Sequence, residues 1–495
     1  MSKSQKQTRH IALGTAARIT GKTLGAGVSL VALHLATKYF GPVQWGPITA
    51  ALAWFTVFSY LGSPGVATLT MREVARQESD AESLFGKALG ASLLVSAFSG
   101  LVAAAVALVV YWDRPNTLIL VLILLPGVPL IALFFTSGAI LVGRDRSGAR
   151  ATLDFLSSVF LLAATLVVVD TRLPIRGYGA AYVVSLGVSG LCAFGLAAHF
   201  VRPRFRGASK GLRSMLRDAL PLGQIDLFAV IYARADAVML FLIKGDRAVA
   251  LYGLAYQAAT FLFALPGMLG NALLPDFMTA DAVRREFLAR RALDVILTVA
   301  LPLPLFGFLF ARPFVIWLAG ARFSSAGGLL TILTIAAAIQ LLNGLLFQIA
   351  VLRGAIQGIW KTAGVVTAVN LAANGIAVTL WGATGSAWVM VFSELIGFVL
   401  YSRIYRSRMP RSLGRRYPLS AVLATVVVGV TWFTLHVGVG LSVGAGASIL
   451  PRALGMTAVY LAMIWCISYI ARRCGNRQHV AGIQLPKGNG RDLST

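Results

Sequence analysis

Long apolar runs separated by short polar segments make up nearly the whole chain. A helix rises about 1.5 Å per residue, so roughly 20 consecutive apolar residues cross the ~30 Å hydrocarbon core of a bilayer. The predicted spans are 11–36, 47–70, 85–110, 117–142, 151–170, 178–200, 219–243, 249–275, 292–317, 326–351, 362–380, 384–402, 418–436 and 450–470. The pattern therefore predicts an all-α polytopic membrane protein with about fourteen transmembrane helices.

Prolines interrupt three of these spans. Pro126 and Pro129 lie in the fourth span, Pro266 lies in the eighth, and Pro302 and Pro304 lie in the ninth. Each removes a backbone hydrogen-bond donor from an otherwise helical run. We therefore expect these helices to be kinked or broken near the prolines.

Composition supports the membrane class and changes the meaning of the charge. Of 495 residues, 57% are hydrophobic and 13% are charged. A net charge of +26 would suggest a nucleic-acid partner in a soluble protein. Here most Lys and Arg residues fall in loops on one side of the predicted spans, so the positive-inside rule predicts cytoplasmic termini. We expect a multi-pass cell-membrane protein that contacts membrane lipids and has no nucleic-acid partner.

The sequence carries no catalytic or metal-binding motif. It contains no P-loop, no HExxH motif and no Cys/His cluster, and the predicted outside loops are short. Its three cysteines, Cys192, Cys466 and Cys474, fall in spans or on the predicted cytoplasmic side, where thiols stay reduced. We expect no enzyme activity, no catalytic residue, no cofactor and no metal site. A membrane glycosyltransferase or polymerase would need catalytic groups on larger outside loops.

A weak internal repeat divides the chain. The segment GAAYVVS from Gly179 parallels GSAWVMV from Gly385, and the dipeptide WG at 45 parallels YG at 252 with nearly the same offset. Two pseudo-symmetric six-helix lobes would explain this repeat and would enclose a cavity between them. The predicted domains are a first lobe (1–201), a basic cytoplasmic linker (202–217), a second lobe (218–408), a terminal helix pair (409–470) and a disordered cytoplasmic tail (471–495).

Basic residues inside the spans are the main functional signal. A charge at the bilayer centre costs about 2.5–3.5 kcal/mol on insertion scales, so it normally faces water or a partner. Arg18 and Lys22 lie one turn apart in the first span, and Arg234 lies in the seventh. We interpret them as a candidate anion site in the cavity. In the alternative, Arg18 extends to the interface and Lys22 pairs with a carboxylate such as Glu394.

Three acidic residues also lie within spans. Asp226 and Asp236 share the seventh span with Arg234, and Glu394 lies in the twelfth. At 100° per residue, Arg234 and Asp236 point about 160° apart, so neither is the main partner of the other. Asp236 and Glu394 are candidates for carrying a coupling proton or cation, with Asp226 nearer the cytoplasmic mouth. Roles in salt bridges that hold the fold together are equally open.

Two amides complete the candidate site. Asn370 and Asn374 lie one turn apart in the eleventh span. They are candidates for the polar lining of the same cavity. In the alternative, they join neighbouring helices by hydrogen bonds.

Three segments carry a family resemblance. They are YLGSPGVATLTMREVARQESDAESLFGKAL from Tyr60, LRDALPLGQIDLFAVIYARADAVMLFLIKGDRAVALYGLAYQ from Leu216, and LPGMLGNALLPDF from Leu265. Over about residues 10–405 the chain resembles the polysaccharide transporter family, the Wzx-type oligosaccharide flippases of the superfamily that includes MATE drug exporters and lipid II flippases. The resemblance implies two six-helix bundles plus a terminal pair. It also implies alternating-access movement of a polyprenyl-diphosphate-linked oligosaccharide to the outer leaflet, for polysaccharide biosynthesis.

The buried charges suit such a substrate. An isolated ion faces an idealised desolvation cost of tens of kcal/mol in hydrocarbon, so a sugar diphosphate needs a hydrated, cationic slot. Arg18, Lys22 and Arg234 would bind the diphosphate. A proton, sodium or the membrane potential would drive transport, and polysaccharide polymerase or assembly proteins are candidate partners. The alternative function is a cation-coupled small-solute or multidrug exporter of the same superfamily, which would favour deep acidic residues in the first lobe.

Overall fold

The computed structural model describes residues 3–76, 80–205, 211–279, 282–352 and 355–406. This part of the chain is helical, without strands. The helices are α1 (Lys3–Leu61), α2 (Val66–Arg76), α3 (Ala81–Val110), α4 (Pro115–Leu124), α5 (Gly127–Gly143), α6 (Ser147–Asp170), α7 (Ile175–Phe200), α8 (Leu212–Lys244), α9 (Asp246–Thr279), α10 (Ala282–Ala300), α11 (Leu303–Ala319), α12 (Ala326–Leu352) and α13 (Ile356–Arg406), with a 3₁₀ turn at Ala321–Phe323.

Length and apolarity confirm an all-α, multi-pass membrane protein. Within the described ranges, seven helical segments are long and apolar enough to cross a bilayer, or eight if α1 and α2 form one bent span. The first twelve predicted spans each fall on a described helix or helix pair. Spans thirteen and fourteen and the tail lie outside the described residues. The total of fourteen therefore stays a prediction.

Glycines join pairs of spans that the sequence pattern treats as separate helices. The long helices α1 and α13 each contain two predicted spans, with non-helical backbone at Gly41 (φ 69°) and Gly382 (φ 58°). Positive φ values of this size favour glycine because it has no Cβ. Each of these long helices therefore consists of two helices that meet at a glycine with almost no loop between them.

Helix breaks lie at two of the three places where prolines interrupt a predicted span. A break at Leu125–Pro126 separates α4 from α5, and a break at Leu301–Pro302 separates α10 from α11. In the eighth span, α9 runs through Pro266 without such a break. Pro266 is buried, and its ring lies where a Cβ on Gly344 of α12 would be. Packing against the glycine accommodates this proline within the helix.

The helices pack mainly within two groups, α1 to α7 and α8 to α13. In the first group α1 packs on α6, and α5 packs on α3 and α7; in the second, α12 packs on α9, α11 and α13. Small residues permit close approach in the first group. A Cβ added to Gly25 of α1 would lie 3.1 Å from the Ser158 hydroxyl of α6, and Ser29 donates a hydrogen bond to the same hydroxyl at 3.2 Å. The lobe boundaries predicted from the repeat stay a prediction.

The two groups meet with backbone against backbone at two levels. Near the Gly41 kink, which we call the Gly41 end, a Cβ on Gly46 would clash with the carbonyl group of Asp246. Toward the opposite side, which we call the Gly65 end, a Cβ on Gly223 would lie 2.5 Å from the carbonyl carbon of Pro64. Glycine is required at both places because the two backbones are too close together for a Cβ atom. The predicted topology puts the Gly41 end outside.

Arg114 adds polar contacts between the two groups at the Gly41 end. Arg114, just before α4, donates from Nη1 to the Phe241 carbonyl at 2.7 Å and from Nη2 to the Leu242 carbonyl at 3.1 Å. Its guanidinium also lies 4.6 Å from the centre of the Phe241 ring. These carbonyls belong to the last turn of α8, where a cation is favoured by the helix dipole. Arg114 therefore joins the first group to the second.

Candidate functional site

A cavity of about 200 Å³ lies between the two helix groups. Its walls come from α1, α6 and α7 on one side and from α8 and α9 on the other. Along α8 it lies between Gly223 of the Gly65 end and Gly245, which ends the helix. The cavity is thus flanked by the two levels at which the groups touch.

Arg234 supplies the positive charge of this cavity. Its side chain is half-buried, lines the cavity and lies 5.3 Å from the centre of the Tyr256 ring of α9. Among the described residues, no carboxylate lies within 4.0 Å of its guanidinium. A cation against an aromatic face keeps its hydrogen-bond donors available for an anion. Arg234 can therefore bind a phosphate-containing ligand without first breaking an ion pair.

Asp236 points away from Arg234, as the helical periodicity predicts. Its carboxylate is buried, with 2% of the side chain exposed. It accepts a hydrogen bond from the Ala237 backbone N–H at 2.7 Å and a second from the Tyr252 hydroxyl. Tyr252 belongs to α9, in the same helix group, so these bonds fix the rotation of α8 against α9. The partners are neutral, and no ion pair is formed.

Glu394 lies in a second buried network, in α13 and away from the cavity wall. It is 6% exposed and accepts hydrogen bonds from the Tyr232 hydroxyl at 2.9 Å and from the Asn343 amide at 2.7 Å. The same amide contacts the Glu394 backbone carbonyl at 2.9 Å. Glu394 and Arg234 form no ion pair in the structure. The pairing of Glu394 with Lys22 stays a prediction, because the Lys22 side chain lies outside the described residues. Glu394 is instead a buried carboxyl group held by neutral donors from α8 and α12.

Asn370 and Asn374 join helices in this structure and do not lie on the cavity wall. Each is 1% exposed. Asn370 donates to the Ser393 hydroxyl at 3.0 Å, Asn374 donates to the Asn370 side chain at 3.1 Å, and Ser386 donates to Asn374 at 2.8 Å. The bonds cross between the two halves of α13. These contacts are those of the helix-joining alternative, and the cavity-lining interpretation stays a prediction.

The remaining candidates are only partly described. Asp226 is exposed on α8, about 12 Å along the helix from Arg234 toward the Gly65 end, and is not on the cavity wall. Arg18 and Lys22 belong to α1, but their side chains lie outside what the structure describes. The structure therefore brings one of the three predicted basic side chains to the cavity and leaves the other two as predictions.

Sequence reasoning missed most of the cavity lining. Five aromatic side chains line the cavity: Trp45, Tyr178, Tyr182, Tyr252 and Tyr256. A signal for part of this set is present in the segment ALYGLAYQ, where two tyrosines lie one helical turn apart. Asn343, the main partner of Glu394, gives no such signal, because nothing in the sequence distinguishes it from Gln340 and Gln348 in the same apolar run.

Comparison with solved structures identifies the fold. Lipid II flippase MurJ in an inward closed conformation matches with a TM-score of 0.72 and 13% sequence identity, covering 93% of this chain and all of that one. A eukaryotic MATE transporter matches at 0.62 with 12% identity, covering 83% and 98%. An inward-facing multidrug resistance MATE family transporter matches at 0.58 with 15% identity, covering 80% and 100%. At these identities the similarity shows a shared fold.

Sequence comparison gives the family. No curated protein matches the chain significantly. The family of polysaccharide biosynthesis proteins matches residues 11–279, which is more than half of the chain. The similar structures are named as a lipid II flippase and as MATE transporters. The chain is therefore a multi-pass membrane protein that belongs to the polysaccharide biosynthesis protein family and has the fold shared by MurJ and the MATE transporters.

Proposed function

We propose that this protein moves a polyprenyl-diphosphate-linked oligosaccharide from the cytoplasmic to the outer leaflet of the cell membrane by alternating access. Both termini would then be cytoplasmic, and the Gly41 end would face outside. The family, whose name refers to polysaccharide biosynthesis, and the similarity to a lipid II flippase support this proposal. The cavity between the helix groups would hold the sugar diphosphate, while the lipid tail stays in the bilayer.

One observation carries the proposal: the cavity contains an arginine that no carboxylate among the described residues neutralises. The Arg234 guanidinium offers five donors in a planar arrangement, which suits the oxygens of a diphosphate. The charged groups on the cavity wall are Arg234 and Asp236, and Asp236 already accepts bonds from Ala237 and Tyr252. The charge available to a ligand is therefore positive, and an anionic substrate is favoured over a cationic drug.

The register of α1 supports a role for the other two basic residues. Ser29 lines the cavity from α1. Lys22 lies seven residues before Ser29 and Arg18 lies eleven residues before it, which correspond to about two and three helical turns. The three positions therefore share one helix face. Arg18 and Lys22 would form a cationic path leading from the cytoplasmic side toward Arg234.

Buried carboxyl groups with neutral partners are the candidates for energy coupling. Asp236 and Glu394 would take up a proton or a cation in one state of the cycle and release it in another, with Asp226 closer to the cytoplasmic opening. The membrane potential would contribute as well. With the inside negative, each negative charge moved outward gains about 2.3 kcal/mol per 100 mV.

The test is transport by Arg234→Ala in proteoliposomes. The probe is a short-chain prenyl-diphosphate-linked N-acetylglucosamine with a fluorophore on the sugar, and its change of leaflet is followed by dithionite quenching. Loss of charge-assisted hydrogen bonds should slow transport by roughly tenfold or more, and Arg234→Lys should keep part of the rate. The matched control is Arg217→Ala, an exposed arginine on the same helix. Transport by Arg234→Ala at the wild-type rate would contradict the anion site.

The exporter alternative has its own assay. Uptake of ethidium, an organic cation, would be measured in the same proteoliposomes under a proton or sodium gradient. We expect no uptake above protein-free vesicles, because Arg234 repels a cation from the cavity. Ethidium uptake that is lost in Glu394→Gln, together with no movement of the prenyl diphosphate probe, would establish an exporter instead.

A further inference from the structure

The aromatic part of the cavity is distinct from its charged part. Three of the rings come from the first helix group, Trp45 of α1 and Tyr178 and Tyr182 of α7. Two come from α9 of the second group, Tyr252 and Tyr256. Rings from both groups therefore surround the space beside Arg234, and we call these five side chains the aromatic box.

The rings of the box are held at angles that leave faces for a ligand. Trp45 and Tyr178 meet edge to face, with centroids 5.6 Å apart and planes at 62°. Tyr182 meets Phe55 edge to face at 6.1 Å, and Phe55 does not line the cavity. Tyr182 itself is only partly buried, unlike most of the box. Contacts behind the box thus fix the ring orientations without filling the cavity.

Two neutral polar groups accompany the rings. Gln257 lines the cavity next to Tyr256. Trp45 is 1% exposed, and its indole N–H has no hydrogen-bond partner among the described residues. A buried donor without a partner is unfavourable by about 1–3 kcal/mol, so such groups are rare unless another state satisfies them. A ligand hydroxyl reached by a small ring rotation would satisfy this donor.

Aromatic faces combined with neutral donors and acceptors are the chemistry that recognises a sugar ring. The C–H face of a pyranose packs on an aromatic face, while its hydroxyls bond to amide and indole groups. An aromatic organic cation would also use the rings, but Arg234 lies 5.3 Å from Tyr256 and opposes it. An aliphatic chain would leave the Trp45 N–H and Gln257 without partners.

We infer that the aromatic box is a glycosyl subsite, in which a neutral pyranose ring of the headgroup is held beside the diphosphate bound at Arg234. This inference rests on the proposed function and names the residues that would contact the sugar. A cavity of about 200 Å³ has the space of roughly six or seven water molecules at ~30 Å³ each, and so admits about one ring. Because both helix groups contribute rings, the subsite is complete only when the groups are together.

The experiment compares three ligands on purified full-length protein by isothermal titration. The first is inorganic diphosphate, and the second is an N-acetylglucosamine diphosphate carrying a short prenyl chain; the matching prenyl diphosphate without sugar corrects for the chain. Wild-type protein should bind the sugar-containing probe more tightly than its sugar-free match. Tyr182→Leu should reduce that gain by roughly three- to tenfold and leave the affinity for inorganic diphosphate unchanged. Tyr182→Phe, which keeps the ring, should retain the gain.

Further variants separate the inference from its alternatives. Trp45→Phe keeps an aromatic ring without the N–H, and should lower the sugar gain by roughly threefold or more. Phe58→Leu is the matched control, since the Phe58 and Trp54 rings are 5.1 Å apart and Phe58 does not line the cavity.

Two outcomes would overturn the subsite. If Tyr182→Leu lowered the affinity for inorganic diphosphate as much as the affinity for the sugar-containing probe, the rings would only shape the cavity. If wild-type protein bound the sugar-containing and sugar-free prenyl diphosphates equally tightly, the subsite would also be overturned, and the proposed function would still stand. Failure to bind either prenyl diphosphate would count against the proposed function itself.

Discussion

At the scale of single residues, the charged groups in and near the cavity are of two kinds: one is open to a ligand, and the others are enclosed by hydrogen-bond partners. Arg234 faces the cavity beside an aromatic ring, whereas Asp236 and Glu394 are enclosed by neutral donors. A carboxylate buried without a cation is stable only as long as its hydrogen bonds persist. The residues that hold Glu394 are therefore as important to the fold as Glu394 itself.

Asn343 gives the first prediction at this scale. Its amide donates to both the side chain and the backbone carbonyl of Glu394. Asn343→Leu has a similar volume and removes these bonds, so we expect a loss of about 1–3 kcal/mol in stability, seen as a lower melting temperature in detergent. Gln357→Leu, which changes an exposed amide, should melt like wild type. Unchanged melting of Asn343→Leu would show that Glu394 has other partners.

Arg150 shows a charge that serves packing. It pairs with Asp154 at 2.9 Å, donates to the Phe134 carbonyl at 3.1 Å and lies 4.3 Å from the centre of the Phe134 ring. Its guanidinium occupies the place of a Cβ on Gly138. Gly138→Ala should displace it and lower stability by about 1–3 kcal/mol in the same melting assay. Gly195→Ala, in open space on α7, is the control that should not destabilise. Equal melting of the two variants would argue against this packing role.

At the scale of helices, the sequence predicts the position of each span and the directions of side chains within one helix. It does not predict which side chains of two neighbouring helices meet. Apolar length located the spans, and a 100° rotation per residue separated Arg234 from Asp236. The partner of Asp236 is Tyr252, and the choice depends on how α8 and α9 are rotated against each other. Membrane helices are apolar on nearly all faces, so no polar stripe in the sequence fixes that rotation. The aromatic lining of the cavity was missed for the same reason.

Arg114 gives a prediction about helix ends. It donates to two carbonyls in the last turn of α8 from the opposite helix group. Arg114→Gln keeps a donor but loses the charge and one bond, which should weaken the contact at the Gly41 end by about 1–3 kcal/mol. A cysteine placed at Thr56 in the cavity, with the three native cysteines replaced by serine, should then react faster with an impermeant maleimide added at that end. Arg176→Gln, at the same end but bonded within the first group to Asn116, is the control. Unchanged labelling would show that the glycine contact alone closes this end.

At the scale of the molecule, two glycine contacts flank one cavity. Ala at Gly223 would collide with Pro64 and Gly65, and Ala at Gly46 would collide with Asp246. Each substitution separates the helix groups at one end and leaves the other unaltered, so each should favour one of two opposite open states. This arrangement is what alternating access requires.

The corresponding prediction uses the same cysteine at Thr56. Gly223→Ala should raise the labelling rate of this cysteine from the Gly65 end, and Gly46→Ala should raise the rate from the Gly41 end. Overpacking costs about 1–3 kcal/mol, so each rate should rise by roughly tenfold. Gly195→Ala should change neither rate. If both variants raised labelling from the same end, the two contacts would not act as separate closures.

The difference between the two closures makes the conformational equilibrium sensitive to ionic strength. The contact of Gly223 with Pro64 and Gly65 involves uncharged backbone, on which dissolved ions have little effect. The opposite closure includes the partly exposed guanidinium of Arg114, whose attraction to the α8 terminus is weakened by electrolyte screening. Raising the salt concentration should therefore shift the resting population toward the conformation that is open at the Gly41 end.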